Sequence, residues 1–189
     1  RKNDPESVQA DILAVATREF SEKGLSGARI DEIAEKTRAS KRMIYYYFKD
    51  KETLYLHTLE AAYQKVRLQE AELQLNHLAP IEALSRLVRF TFCHHAKNPD
   101  FIRLVMIENI HHGRYLGQSK LIQSLNAGVI DALTNVYNRG VEEGCFREGL
   151  DPRELHWLIS ALSFFNVSNQ HTFSRIFDWK QAAPENQRK

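Results

Sequence analysis

Lys41, Arg42, Tyr45 and Tyr46 place four large hydrogen-bond donors within six consecutive residues, with Arg38 before them and Lys49 and Lys51 after. Between Arg38 and Lys51 five basic residues stand against one acid, Asp50, although the whole chain sums to only +2. The positive charge is therefore local, as expected of a surface that meets phosphate. An arginine forks onto a guanine edge, tyrosine hydroxyls and lysine ammonium groups bond phosphate oxygens, and a helix fits the major groove of B-form DNA. A tyrosine-rich helix is often aromatic core and a lysine cluster often a solvated face, but four such donors together on one short helix point to duplex DNA. Met43 fits either a thymine methyl or an intramolecular contact, and Tyr47 either the DNA face or the core.

Such donors need a rigid support. Ile30, Ile33 and Ala34 recur at i, i+3 and i+4, which predicts a short helix with one face to bury. Thr37-Arg38-Ala39 reads as a turn. Ser40 reads as the N-cap of a second helix, its hydroxyl accepting from an orphaned backbone N–H. On that helix Ile44 and Phe48 stack four residues apart as anchors. Arg42, Tyr46 and Lys49 project from roughly the opposite side at about 100° per residue.

This arrangement resembles the TetR family of transcriptional regulators. The resemblance rests on Ile12, Ala16 and Phe20 in a first helix ending at Lys23-Gly24, on Ile30-Asp31-Glu32-Ile33-Ala34, and on the run from Ser40 to Leu54. A second match lies at Arg139-Gly140-Val141-Glu142-Glu143-Gly144-Cys145-Phe146-Arg147, followed by Asp151-Pro152. The resemblance implies an all-α chain, with a helix-turn-helix DNA-binding domain over residues 1–50 and a helical effector-binding and dimerisation domain over 51–189. It implies Ser40, Lys41, Arg42, Met43, Tyr45, Tyr46, Tyr47 and Lys51 as the DNA-contacting set. Two departures stand out. Arg38 occupies a turn position where the family usually has glycine, so the turn either differs in geometry or holds Arg38 under mild strain. Ala28-Arg29 replaces the usual capping Thr or Ser, which makes Arg29 the candidate for that phosphate contact.

Glycine and proline are sparse and fall at plausible breaks, so helices are expected almost throughout. A long helix is expected from about Lys51 to Leu75 with Asp50 as its N-cap. Others should run from Pro80 to near Asn98, from Asp100 to His112, from about Ser119 to Glu143, and onward from Asp151-Pro152. Beyond Phe177 the chain turns polar, so the family's final helix is expected to be absent or truncated. Leu155, Leu158, Ile159, Leu162, Phe165 and Asn166 form an apolar stripe broad enough for both an internal core and a partner. Trp157, Leu158, Leu162 and Phe165 are the candidate dimer interface, the alternative being intramolecular core.

Polar or aromatic residues that interrupt apolar faces nominate an effector pocket: Tyr63, Phe90, Thr91, His94, Met106, Asn109, Phe164 and Asn166. For His94 and His95, adjacent on a helix, the expectation is one core histidine bonded to a neighbour and one exposed. Glu108 and His111 have the Glu-x-x-His spacing of bundle metal sites, but a single copy argues against one. Cys93 and Cys145 form no CxxC, and neither a zinc site nor a disulfide framework is expected. No apolar run approaches the roughly 20 residues needed to span a bilayer, and the start of the chain carries no signal-like core, so a soluble cytoplasmic protein is expected. With no phosphate loop, nucleophile pattern or cofactor motif, an enzyme is disfavoured. The expected function is a homodimeric repressor that binds a palindromic double-stranded DNA operator and is released by a small-molecule effector. The alternative is a helix-turn-helix scaffold that binds DNA or a protein without sensing a ligand.

Overall fold

Side-chain caps and prolines set most of the helix starts. In the computed structural model, which describes residues 4–179, Asp4 caps α1 (Pro5–Gly27) by accepting from the Glu6 N–H at 3.3 Å, with Pro5 in the first turn. Regular α1 geometry ends at Gly24, whose φ of 68° few residues other than glycine adopt readily. Then follow α2 (Ile30–Lys36), α3 (Lys41–Phe48), α4 (Lys51–Ala71), α5 (Pro80–Lys97), α6 (Pro99–Ile110), α7 (Lys120–Glu142), α8 (Pro152–Ser168) and α9 (Gln170–Phe177). Single 3-10 turns at Leu75–His77 and Leu116–Gln118 fill two of the connections. No strand occurs among the described residues, and none of their helices is long and apolar enough to cross a membrane.

Two expectations are refined here. Of absence and truncation, the two outcomes expected for the final helix, the second fits the eight-residue α9 that follows α8; the polar stretch from Lys180 lies outside the described residues. Arg38 is not among the residues with positive φ, so the turn carries no strain there. Its backbone N–H instead donates to Asp11 Oδ2 of α1 at 3.0 Å. The strained position lies further on, at Lys49, where φ is 62° and ψ is −59°. The Asp50 N–H reaches back to the Phe48 carbonyl at 2.7 Å, closing a γ-turn around Lys49. That turn fixes where α3 stops and α4 starts.

The helices pack as two compact units, and this division does not follow the boundary expected at residue 50. The first unit takes the residues up to Lys65 together with Arg103–Gln123. Its core joins Ile12, Phe20, Ile33, Ile44 and Phe48 to Leu54, Tyr55, Leu104 and Tyr115. Tyr55 meets Phe20 edge-on at 5.1 Å and Tyr115 at 5.2 Å. The second unit takes Val66–Ile102 and the residues from Ser124 onward, around Leu75, Leu87, Leu133, Val136 and Ile159.

In the second unit, the connection after α7 explains the Arg139–Arg147 motif. The Tyr137 hydroxyl donates to the Arg147 carbonyl at 2.9 Å and accepts from the Leu150 N–H at 3.0 Å. Phe146 stacks on Tyr137 and lies directly over Gly140, where a methyl group would overlap its ring. Gly140→Ala is therefore expected to destabilise the protein by about 1–3 kcal/mol through overpacking, read as a lower midpoint in urea. An unchanged midpoint would show that Phe146 is not fixed there.

Candidate functional site

The helix α3 is held from beneath. Ile44 and Phe48 are 1% and 3% exposed, and Met43 and Tyr47 pack partly against the same core. Ser40 accepts from the Met43 N–H at 3.3 Å, closing the N-cap. With that face buried, Arg42, Tyr45 and Tyr46 stand outward, Tyr46 at 81% exposure. Tyr46 also meets Tyr47 edge-on at 5.3 Å. Of the two readings left open for Tyr47 and Met43, this packing favours the intramolecular one, with an edge of each still accessible.

Two of the nominated lysines are already engaged. Lys41 Nζ lies 2.7 Å from Asp31 Oδ1 of α2, and this bond holds the lysine pKa up and the aspartate pKa down. Lys51 donates to the Ala28 carbonyl at 3.2 Å, tying the start of α4 to the α1–α2 connection. Arg29 precedes α2 in extended conformation, exposed and without a capping side-chain bond. Below this surface Glu19, 2% exposed, receives both Lys23 and Lys36. The hydrogen bonds from Lys23 and then Lys36 keep its carboxyl below the usual carboxylate range. A buried anion shared by two cations locks α1 to α2 and fixes the base on which α3 rides.

The pocket nominations separate. Tyr63, Met106 and Asn109 belong to the first unit, where Tyr63 packs on the core and Met106 and Asn109 are exposed. Asn109 donates to the Val105 carbonyl of its own helix at 2.9 Å. In the second unit Thr91 likewise donates to the Leu87 carbonyl at 2.9 Å, and Asn166 lies beside Phe165 and Asn169 in a depression near α9. Phe90 and His94 do meet, at 5.7 Å, and His94 also contacts Phe101 at 5.7 Å, whereas Phe164 contacts His95, which itself touches Phe101.

The expectation of one exposed histidine is overturned, since His94 and His95 are 6% and 8% exposed. Residues about 100° apart are both buried because α8 and Phe101 cover neighbouring sides of α5. Burial first, then His94, lowers the His95 pKa to about 4, which keeps it neutral. Glu108 is not placed as a metal ligand: its Oε2 accepts from the Tyr115 and Leu116 N–H groups, both at 3.1 Å.

Sequence reasoning did not nominate Arg67 and Glu70, an ion pair one turn apart on α4 that lines a cavity of about 480 Å3 with Gln74, Val129 and Ala132. The only signal was the opposite charge at i, i+3, which usually marks a solvated face. On α8, Trp157, Leu158, Leu162 and Phe165 are all exposed, while Ile159, Ser163 and Val167 are buried. The broad stripe is thus two faces.

Comparison with known proteins agrees with this architecture. Residues 12–58 match the family described as bacterial regulatory proteins, tetR family, and residues 80–189 match the tetracyclin repressor-like C-terminal domain. The chain is 33% identical over 179 residues to the HTH-type transcriptional repressor NicS of Pseudomonas putida, covering 92% of this chain and 84% of that protein. A further HTH-type transcriptional repressor, from Streptomyces coelicolor, is 33% identical over 171 residues, with 87% and 80% covered. The crystal structure of a transcriptional regulator from Streptomyces coelicolor superposes with a TM-score of 0.69 at 27% identity, over 91% of this chain and 86% of that one. A helix-turn-helix with an outward basic and aromatic face, followed by a helical body matching the family's C-terminal domain, makes this chain a member of the TetR family, a DNA-binding transcriptional regulator and not an enzyme.

Proposed function

We propose that the protein is a homodimeric repressor that holds a near-palindromic operator and lets it go when a small molecule enters its body. The observation that carries the reading is α3 itself, with Ile44 and Phe48 buried and Arg42, Tyr45 and Tyr46 presented on the opposite side. Arg42 is assigned to base edges, and Arg29, Ser40, Lys41, Tyr45, Tyr46 and Lys51 to phosphates. Lys41 exchanges Asp31 for a phosphate on binding, a swap of one anion for another. The exposed apolar face of α8 continues into Phe173, Ile176 and Phe177 of α9. A surface of that kind supports self-association, and two heads on a two-fold axis read half-sites roughly 34–36 Å apart or a multiple of that. The cavity beside Arg67 favours ligand sensing over a scaffold with a filled body. Release then follows from population shift: the ligand binds more tightly to an arrangement of the dimer that binds DNA less well.

Selection from a random duplex library at fixed salt is expected to enrich a near-palindrome. Compounds that raise the melting temperature are then tested on that duplex. At least one is expected to lower its affinity, and unchanged affinity at saturation with every stabilising compound would sink the release mechanism.

A further inference from the structure

Arg67 Nη1 is paired with Glu70 Oε2, yet Arg67 Nε is buried with no hydrogen-bond partner. A guanidinium is a planar fork of five donors, and a carboxylate matches either of its edges. Glu70 occupies the Nη1 side, and Nε, closed to solvent, is left without an acceptor. An arginine held only to pair with Glu70 gains nothing from a buried, unpaired donor, and the loss is worth roughly a 10-fold to 100-fold change in an equilibrium constant. Facing the pair across the cavity is an apolar wall from α7, made by Leu125, Val129 and Ala132. Arg67 also acts on His95 and His156, whose pKa values are lowered first of all by burial. Arg67 stands on the wall of the cavity, where His77 is the other basic side chain.

We infer that the effector is a compact carboxylate with an apolar body, its carboxylate displacing Glu70 from Arg67 and its body laid against Leu125, Val129 and Ala132. The inference rests on the effector-released repressor reading and specifies the chemistry its ligand must have. It also assigns Glu70 a role: the internal carboxylate holds the guanidinium in place and competes for it. Binding is thus an exchange of one carboxylate for another on Arg67, and its strength reflects the difference between the two.

The test uses the full chain and five probes, benzoate, phenylacetate, cinnamate, hexanoate and octanoate, each beside its primary amide. Melting temperature and affinity for the selected duplex are both read. At least one acid is expected to raise the melting temperature and weaken DNA binding, with its amide at least 10-fold less effective. Arg67→Met is expected to abolish the response, and Arg67→Lys, which keeps charge but not the fork, to weaken it about 10-fold. Glu70→Gln is expected to tighten acid binding several-fold, a direction that a purely structural ion pair does not produce. DNA binding without probe reports that each variant is folded. Amides as effective as acids, no response to any acid, or responses unaltered by the three variants would each overturn the inference. A broader screen of neutral and cationic compounds separates the two failures: release by one of them leaves the repressor reading standing, and release by none removes both.

Discussion

Arg42→Ala is expected to weaken binding to the selected duplex by about 10–100-fold, because a bidentate arginine contact to a guanine edge is worth about 1–3 kcal/mol of discrimination. The loss should concentrate at one position of each half-site, so that duplexes altered there bind the variant no worse than the original. Tyr46→Ala should act differently. Tyr46 is 81% exposed with its hydroxyl at the end of a rigid side chain, and a phosphate contact carries no sequence information. Its loss lowers affinity about uniformly across sequences. The double variant should no longer enrich a palindrome from a random library. None of these changes touches Ile44 or Phe48, whose burial holds α3 in place, so melting temperatures should move little. Fluorescence anisotropy at fixed salt distinguishes the two residues, and an Arg42→Ala protein with unaltered affinity and base preference would remove α3 from the recognition surface. Lys41→Ala should cost less than Arg42→Ala, because binding only trades its Asp31 partner for a phosphate.

The recognition helix was legible in the sequence because its determinants are local. Ser40 caps within three residues, and Ile44 and Phe48 share a face by helical period alone. The same holds for α8, where Asp151 accepts from the Arg153 N–H at 2.8 Å and Pro152 opens the first turn. Periodicity could not reveal contacts made across the fold, such as Lys51 on the Ala28 carbonyl or Arg38 on Asp11, 27 residues earlier. His95 shows the limit clearly: a hydrophobic period assumes one buried face, and a helix flanked on neighbouring sides has two. The pocket nominations rested on polar residues that interrupt apolar stripes. Thr91 satisfies its hydroxyl within its own helix, however, and the cavity is lined by the end of α4 and a 3-10 turn that no period marks. Buried charge is the least legible of all, since Arg67 and Glu70 look in sequence like any surface pair.

Glu108→Ala is expected to destabilise the protein by about 3–5 kcal/mol, the largest effect predicted for a single side chain outside the DNA surface. The carboxyl is 1% exposed and accepts from two backbone donors, the N–H groups of Tyr115 and Leu116. Each donor left unpaired costs about 1–3 kcal/mol, and the vacated volume adds to that. Glu108 also faces the Tyr55 hydroxyl, which burial first and the carboxyl second hold in its neutral form. Glu108→Gln keeps an oxygen that can accept from both N–H groups and should cost about 1 kcal/mol or less. Urea unfolding followed to the same endpoint for both variants decides the matter: equal small losses would mean that Glu108 does not anchor the connection after α6. The consequence extends to DNA binding because Glu108, Tyr55 and Tyr115 belong to the same packed unit as α1, α2 and α3. The segment after α6 is part of the base that holds the recognition helix. Loosening it should therefore weaken operator binding although no residue involved reaches DNA, and the weakening should be larger for alanine than for glutamine.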